Sequence, residues 1–315
     1  MSPGVLRRVA FALLACCDAP KVEPPAPVVK AILGSAAVTA CEPLPFAEST
    51  PVPEASGAAF LTIDGALRLV VASDSGNHGA YGLLDPDTGA TVEQGTLPLG
   101  GSTDDIEGLA VRGGHLFGIT SPGWILEWKR VAHGFELVSG PTALGPVDLG
   151  PKGGLGKPGE RPARSTAEGG AEVNDKPPPG DGMVCDGTRS NCGRNYEGIC
   201  LTETAGYAAS KADGHLYPLI GTPLRVERAG AIAVAEPGHL ADCAYDETGA
   251  LYTGNNLFGL STVSRIENGK PVPIASLGTG FPEVLAVRGD VVYRMSDMGG
   301  SPSLLGKFRC KRSAR

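Results

Sequence analysis

Acidic residues recur at the start of several short apolar segments in this chain. Glu107 in "DIEGLAV" and Glu197 in "NYEGICL" are each followed by glycine and an alternating apolar run, and alignment of related segments adds Asp242 and Glu283. Carboxylates that converge on one point repel one another unless protons or a cation neutralise them. Calcium binds six to eight oxygen ligands of this kind. The pattern predicts a calcium site; the alternative is that these acids simply begin strands at a solvated rim.

Polar residues also follow the second strand of each segment. They are Asp74, Asn77, Asn255, Asn256 and Asp297. If these turns lie on one face of the fold, we expect the residues to form a ligand-binding rim. The alternative is turn chemistry alone, because Asn and Asp tolerate left-handed backbone conformations and bind their own main chain.

No sequence motif identifies a catalytic nucleophile. GxSxG, P-loop and dinucleotide-binding fingerprints are missing, and no two histidines have the spacing of a metalloprotease site. His78, in "SDSGNHG", is the first candidate for a general base or a phosphate contact. Other catalytic residues cannot be named from the sequence.

The acidic segments belong to repeated units, which begin near residues 56, 106, 196, 241 and 282. Each unit has an alternating strand, a short turn, a second strand and a turn with Gly or Asn leading to a third strand. Small antiparallel sheets repeated about every 40–50 residues are typical of a β-propeller. We therefore predict an all-β propeller of five or six four-stranded blades. The competing prediction is a β-sandwich, which also has many short strands.

Closure of the ring can be predicted from the two ends of the chain. The last unit lacks a fourth strand, and "PLPFAE" (43–48) near the N-terminus could supply it. This closure would bring Cys41 close to Cys310, and we predict that they form a disulfide. We then expect Cys185 to pair with Cys192 and Cys200 to pair with Cys243, although six cysteines allow 15 pairings.

One long segment interrupts the repeats. Residues 141–190 are rich in Gly and Pro, polar and without periodicity. Such a segment buries too little apolar surface to offset the entropy of ordering it. We predict a disordered insertion between two structured halves of one propeller domain, 41–315.

The N-terminus is typical of an export signal. Arg7 and Arg8 precede a short apolar run that ends in "LLAC", similar to a bacterial lipobox, so residues 1–16 are predicted to be a lipoprotein signal with Cys16 lipidated. Residues 17–40 form a Pro-rich tether. The alternatives are an ordinary cleaved signal or lipidation at Cys41, after "VTAC". Either way we expect an exported protein, in the cell envelope (periplasm or outer surface) or secreted.

Composition limits the class of partner. The chain has 315 residues, 46 Gly and 27 Pro, and a net charge of −7. An acidic chain lacks the basic surface that nucleic acid requires. We expect a monomer that binds a small molecule or an envelope protein and contacts membrane only through its lipid anchor.

The phrases "DIEGLAV", "NYEGICL" and "SDSGNHGAYGLLDPDTG" resemble exported bacterial propellers of the phytase-like esterase and SdiA-regulated type, and more distantly gluconolactonase-like propellers. The resemblance covers most of 55–310 apart from the insertion. It implies a propeller fold, calcium in the axial channel of several members and hydrolase activity in some. No obvious His–Asp pair stands at matching blade positions here.

Two functions follow as hypotheses. The first is an envelope-anchored module that binds a ligand or a protein, with calcium in its channel. The second is a calcium-dependent hydrolase of an ester, a lactone or a phosphoester, which needs a metal or a base beside open space for the substrate.

Overall fold

The computed structural model describes residues 41–102, 104–144, 195–257, 260–279, 282–296 and 302–310. Every regular element in these ranges is a β-strand, and the strands form five antiparallel sheets. The chain begins with two short strands, β1 (Glu42–Pro43) and β2 (Ser49–Thr50). No helix among the described residues is long and apolar enough to cross a membrane.

Three four-stranded blades follow in chain order. Blade 1 contains β3 (Ala55–Ile63), β4 (Ala66–Ser73), β5 (Ala80–Leu84) and β6 (Thr91–Thr96). Blade 2 contains β7 (Ile106–Arg112), β8 (His115–Thr120), β9 (Trp124–Arg130) and β10 (Phe135–Ala143). Blade 3 contains β11 (Tyr196–Leu201), β12 (Gly206–Ser210), β13 (His215–Ile220) and an outer edge split into β14 (Arg225–Val226) and β15 (Ile232–Ala233).

The last two blades complete the ring. Blade 4 contains β16 (Leu240–Tyr245), β17 (Leu251–Leu257), β18 (Leu260–Glu267) and β19 (Lys270–Thr279). Blade 5 contains β20 (Pro282–Arg288), β21 (Val291–Ser296) and β22 (Ser303–Arg309), with β1 and β2 paired to β22. The protein is a five-bladed β-propeller, which decides between the five and six blades that the sequence allowed.

The hairpin turns follow the rules by which they were predicted. Asp64 and Gly65, between β3 and β4, both have positive φ angles, 50° and 76°. A two-residue turn of this kind matches the twist of the two strands that it joins. "Asp-Gly" therefore fixes the register in which Ile63 pairs with Ala66.

The hydrophobic core lies between the blades. The described residues form five clusters of buried side chains, one at each boundary between neighbouring blades. Trp128 is fully buried between blades 1 and 2, and its indole N–H donates to the carbonyl of Pro98 at 2.8 Å. One blade cannot cover both of its own faces, so each depends on its neighbours, and closure of the ring covers the first and the last.

Glycines allow the inner strands β3, β7 and β11 to approach closely. A Cβ at Gly57 would lie 2.8 Å from the carbonyl carbon of Gly108, and a Cβ at Gly108 would lie 2.6 Å from the Cα of Gly198. The same glycines follow a bulge in their strands. The glycine of the "EGLAV" and "EGICL" phrases therefore serves both purposes that the sequence allowed, a bulge and a close approach of backbones.

The N-terminal segment closes the ring, but not through the predicted strand 43–48. β1 and β2 pair with β22, and residues 44–48 between them are not in a strand. Glu42 pairs with Arg309, Ser49 pairs with Leu304, and the disulfide between Cys41 and Cys310 joins the two ends. The predicted pair Cys200–Cys243 is also present and links blade 3 to blade 4. The predicted pair Cys185–Cys192 lies outside the described residues.

Strand β10 extends beyond the predicted end of blade 2. It continues to Ala143, and Thr142 pairs with Ile125 of β9. The strand therefore includes the first residues of the segment 141–190. A bulge in β10 allows this, because the register shifts between Ser139 and Thr142. The rest of that segment, and residues 1–40 with Cys16, lie outside the described residues.

Candidate functional site

In each blade, one residue of the inner strand has no pairing partner on the second strand. The pairing with the second strand skips one residue near the start of β3, β7, β11, β16 and β20. A bulge of this kind turns the skipped side chain out of the regular alternation. The five bulge residues are Ser56, Glu107, Glu197, Ala241 and Glu283. We call the end of the ring where they lie the mouth.

The structure places Asp242 one residue beyond the position that sequence alignment gave it. Ala241 is the bulge residue of blade 4, and Asp242 pairs with Gly254. The carboxylate of Asp242 lies against Gly198, in the space that a side chain there would need. Its Oδ1 accepts from the Cys243 amide and its Oδ2 from the Leu285 amide, both at 2.7 Å. Asp242 therefore joins two inner strands through backbone hydrogen bonds.

Two further positions recur around the mouth. The residue after the second strand donates its amide to the carbonyl of a residue just before the inner strand of a blade. Asp74 donates to Glu54 at 2.8 Å and Lys211 to Asn195 at 2.9 Å, within blades 1 and 3 respectively. In blade 2, Ser121 donates to Asp105 at 3.2 Å. The same backbone hydrogen bond thus recurs in these three blades. The blade boundaries differ in the side chains at these positions.

At the boundary of blades 1 and 2 these positions hold three carboxylates, Asp74, Asp105 and Glu107, which we call the acidic triad. One oxygen of each lies within 4.8 Å of the others. Asp105 and Glu107 are 3% and 5% exposed. Oδ2 of Asp105 is buried and has no hydrogen-bond partner among the described residues. A buried carboxylate oxygen without a partner is costly, and a cation would supply one.

The electrostatics of the triad favour neutralisation. Burial raises the pKa of Asp105 to about 8. The charge of Asp74, a side-chain hydrogen bond with Asp74 and the charges of Glu197 and Asp104 add to the rise. Burial likewise raises the pKa of Glu107 well above its usual range, and Glu197 is the carboxylate that contributes most to the further rise. Like charges held together in a buried site produce this effect. The donors are all carboxylate oxygens, which suits a hard cation such as calcium.

At the next boundary, between blades 2 and 3, a lysine neutralises the buried glutamate. Here the equivalent residues are Ser121, Asn195 and Glu197. The Ser121 hydroxyl donates to Asn195 Oδ1 and the Asn195 amide donates to Glu197 Oε1, each at 2.8 Å. Oε2 of Glu197 accepts from the ammonium of Lys211 at 2.9 Å. Burial raises the pKa of Glu197, but Lys211 opposes that rise.

A buried arginine lies in blade 5, on the strand next to the one that carries Glu283. Arg294 is 3% exposed, and its guanidinium donates to the carbonyls of Val284 and Pro282, both at 2.8 Å. Burial lowers its pKa to about 10, although Asp242 and Glu283 act in the opposite direction. Asp242 and Glu283 thus have a permanent cation in their neighbourhood. Of the four predicted metal ligands, only Glu107 belongs to the acidic triad.

The predicted rim residues of blade 1 form a hydrogen-bonded loop beside the triad. The amide of Asn77 donates to Glu54 Oε2 at 2.7 Å. His78 has a positive φ of 56° and its side chain is 89% exposed. Its Nδ1 lies 3.6 Å from Oδ2 of Asp104, a pairing of His with Asp that the sequence did not reveal.

The predicted rim residues of blade 4 have a different setting. Asn255 and Asn256 lie within strand β17 rather than in the turn after it, and Asn255 pairs with Leu240. The side-chain amide of Asn256 donates to the carbonyl of Pro282 at 3.0 Å, which joins blades 4 and 5. Asp297 lies outside the described residues.

Sequence reasoning missed Asp105, Asn195 and Lys211. A signal was present, because Asp105 and Asn195 each stand two residues before the glutamate of a repeated phrase, in "DIEG" and "NYEG". Lys211 follows β12 as Asp74 follows β4. The equivalent positions hold an acid, an amide and a lysine, so residue type alone does not group them.

Comparison with protein-family models and with curated proteins gives no match. Solved structures do match across most of the chain. Glutaminyl cyclase from Myxococcus xanthus is 13% identical, with a TM-score of 0.45 over 85% of this chain and 97% of the other. Aldose sugar dehydrogenase from Streptomyces coelicolor, in its PQQ-bound form, is 13% identical, with a TM-score of 0.43 over 85% and 98%.

A putative gluconolactonase is also similar. It is 13% identical, with a TM-score of 0.45 over 86% of this chain and 94% of the other. Likenesses of this size carry no information on ligand or reaction.

Proposed function

We propose that this protein is an exported, envelope-anchored propeller that binds a ligand or a protein partner at its mouth, with a calcium ion held by the acidic triad. The observation that carries the proposal is the buried Oδ2 of Asp105, which has no partner among the described residues and lies in a group of three carboxylates. The proposed cation thus lies at the boundary of blades 1 and 2, rather than among the four carboxylates aligned from the sequence.

The triad can leave part of the ion open. Three carboxylates supply three to six oxygens, whereas calcium binds six to eight, so water or oxygen atoms of a ligand would complete the shell. Asp74 is half-buried and lies at the loop that carries the exposed His78. A ligand at the mouth would therefore meet both the ion and this loop.

Calcium content and thermal stability test the proposal. We expect the purified chain to retain about one calcium ion and to melt at a lower temperature after chelation. Binding to the folded state alone stabilises it by about 2.7 kcal/mol at a calcium concentration 100 times Kd. Glu107→Gln should abolish the chelator-induced shift, whereas the exposed control Glu136→Gln should keep it. A wild-type protein without bound metal and without a shift would refute the proposal.

Export and anchoring are a separate part of the proposal. The two disulfides are compatible with an oxidising compartment. We expect membrane fractions of the native host to contain the full chain, and Cys16→Ser to release it into the soluble fraction. Unchanged membrane association of that variant would contradict lipidation at Cys16.

A calcium-dependent hydrolase is the second candidate function, favoured by His78 and Asp104 beside the triad. Asp104 would orient the imidazole, which would take a proton from water at one ring nitrogen. A bound cation would polarise the oxygen of an ester, lactone or phosphoester. Hydrolysis of such substrates that is lost in His78→Gln, with calcium binding intact, would support this function. Absence of hydrolysis by the calcium-loaded wild type would leave the binding function.

A further inference from the structure

Lys211 stands in blade 3 where Asp74 stands in blade 1. Each residue directly follows the second strand of its blade, β12 or β4. Each donates its backbone amide to a carbonyl just before the inner strand, at 2.9 Å for Lys211 and 2.8 Å for Asp74. The two side chains therefore leave equivalent points of the ring with opposite charge.

The ammonium of Lys211 contacts the buried carboxylate of Glu197 and interacts electrostatically with carboxylates of other blades. It is 2.9 Å from Oε2 of Glu197, which is 2% exposed. Burial alone would lower the pKa of Lys211, but Glu197 raises it to about 12, with further contributions from Glu283 and Glu107. A positive charge surrounded in this way has the electrostatic setting of a bound metal ion.

The hydrogen bonds around Glu197 are complete without any ion. Its Oε1 accepts from Asn195 at 2.8 Å and its Oε2 from Lys211 at 2.9 Å. Asn195 in turn accepts from Ser121. In the acidic triad, by contrast, Asp105 keeps a buried oxygen without a partner among the described residues.

We propose that the ammonium of Lys211 takes the place of a second cation at the mouth and so limits this protein to one exchangeable divalent ion. The proposal rests on the proposed function for the site of that exchangeable ion. Lys211 cannot dissociate, so the boundary of blades 2 and 3 keeps its positive charge when free calcium is removed. Among the described residues of the mouth, the carboxylates at the boundary of blades 1 and 2 are then the ones that respond to calcium.

Replacement of Lys211 tests the proposal by counting ions. Lys211→Met keeps the length of the side chain and removes its charge, which leaves Glu197 free to bind metal. We expect the full chain of this variant to bind one more calcium ion than the wild type, measured by calorimetric titration and by metal analysis after gel filtration. The control Lys129→Met, an exposed partner of Glu136 at 3.2 Å, should bind the wild-type number.

A double variant tests whether the extra ion binds to the carboxylate of Glu197 or only fills space left by Lys211. Lys211→Met with Glu197→Gln removes both members of the ion pair, and we expect the count to return to that of the wild type. Lys211→Met should also melt at a lower temperature in chelator and recover with calcium, because it leaves a buried charge unpaired. An unchanged calcium count in Lys211→Met, with no added calcium-induced shift in melting temperature, would overturn the proposal.

Failure of this inference and failure of the proposed function give different ion counts. If the wild type binds no calcium but Lys211→Met binds one ion, the proposed function fails, and the part of the inference concerning Lys211 stands. If the wild type binds one ion and Lys211→Met also binds one, the proposed function stands and the inference fails.

Discussion

Oε2 of Glu197 accepts from the ammonium of Lys211 at 2.9 Å. This ion pair gives blade 3 a permanent counter-charge at the mouth of the propeller. At the neighbouring boundary the positions equivalent to Ser121, Asn195 and Glu197 bring together Asp74, Asp105 and Glu107. The same backbone arrangement thus supports two electrostatic solutions, a tethered cation and a group of carboxylates that we expect to hold a free one.

Asp105→Asn should stabilise the metal-free protein. Asparagine has nearly the same shape, and it removes a charge that burial and Asp74 disfavour. We expect the free energy of unfolding in chelator to increase by roughly 1–3 kcal/mol, and the melting temperature to rise with it. Addition of calcium should cause no further rise. Differential scanning calorimetry with and without chelator measures both effects.

The control for this substitution is Asp87→Asn, because the Asp87 side chain is 81% exposed. It should melt as the wild type does and keep the calcium-induced shift. If Asp105→Asn instead melted lower in chelator and retained the full shift, Asp105 would have a structural role unrelated to metal.

The fold was predictable because it depends on local patterns. Alternating apolar residues, "Asp-Gly" at 64–65 and the missing fourth strand of the last unit led to a closed propeller of five or six blades and to the disulfide Cys41–Cys310, and the structure has five blades. These features involve neighbours in sequence or the two ends of a ring. They therefore follow from strand and turn chemistry alone.

The site was only partly predictable because it depends on the register between blades. Asp242 was aligned with Glu107 by charge, but a one-residue shift of the bulge places Ala241 there instead. One residue in a strand reverses the direction of a side chain. The contact of Asp74 with Asp105 joins different blades across a turn, and nothing in either local sequence indicates it.

Stability of the metal-free protein should decrease as pH rises from about 4 to 8. The folded-state pKa of Asp105 is about 8, above its value of 3.8 in the unfolded chain, so folding binds a proton in this range. A raised pKa stabilises the fold fully below pH 4, and this contribution is lost as pH rises through 8. Glu107, Glu197 and Asp242 have raised pKa values and act in the same direction.

Melting temperatures at pH 5 and pH 8 in chelator measure this dependence. We expect the lower melting temperature at pH 8, and a smaller difference in saturating calcium because the ion replaces the protons. Asp85 and Asp246 have lowered pKa values, so their contribution is lost only at more acidic pH. Equal melting temperatures at pH 5 and pH 8 in chelator would contradict the raised pKa values.

Gly108→Ala should destabilise the inner ring. The new Cβ would lie 2.6 Å from the Cα of Gly198 and 2.7 Å from the amide nitrogen of Ile199, so two backbones would have to separate. Overpacking of this kind costs about 1–3 kcal/mol or more. Gly206→Ala is the control, because its closest neighbour is Cδ2 at the end of Leu201. Urea unfolding should show a clearly larger loss for Gly108→Ala, and equal losses would contradict the close approach.

Removal of the disulfide between Cys41 and Cys310 should cost more stability than removal of the one between Cys200 and Cys243. The first spans 269 residues and the second 43, and a cross-link that closes a longer loop restricts the unfolded chain more strongly. We expect roughly 2–5 kcal/mol for each pair, with Cys41→Ala/Cys310→Ala at the upper end. Guanidinium unfolding of the two double variants makes the comparison.

The location of the damage should also differ between the two variants. β1 has only two residues, Glu42 and Pro43, paired with β22, so without the disulfide this strand depends on few hydrogen bonds. We expect Cys41→Ala/Cys310→Ala to be cleaved rapidly near residues 42–50 by a protease at native conditions, before the rest of the domain. Cys200→Ala/Cys243→Ala should resist cleavage there, because its ring closure is intact. Equal resistance of both variants at 42–50 would show that strand pairing alone holds the ring closed.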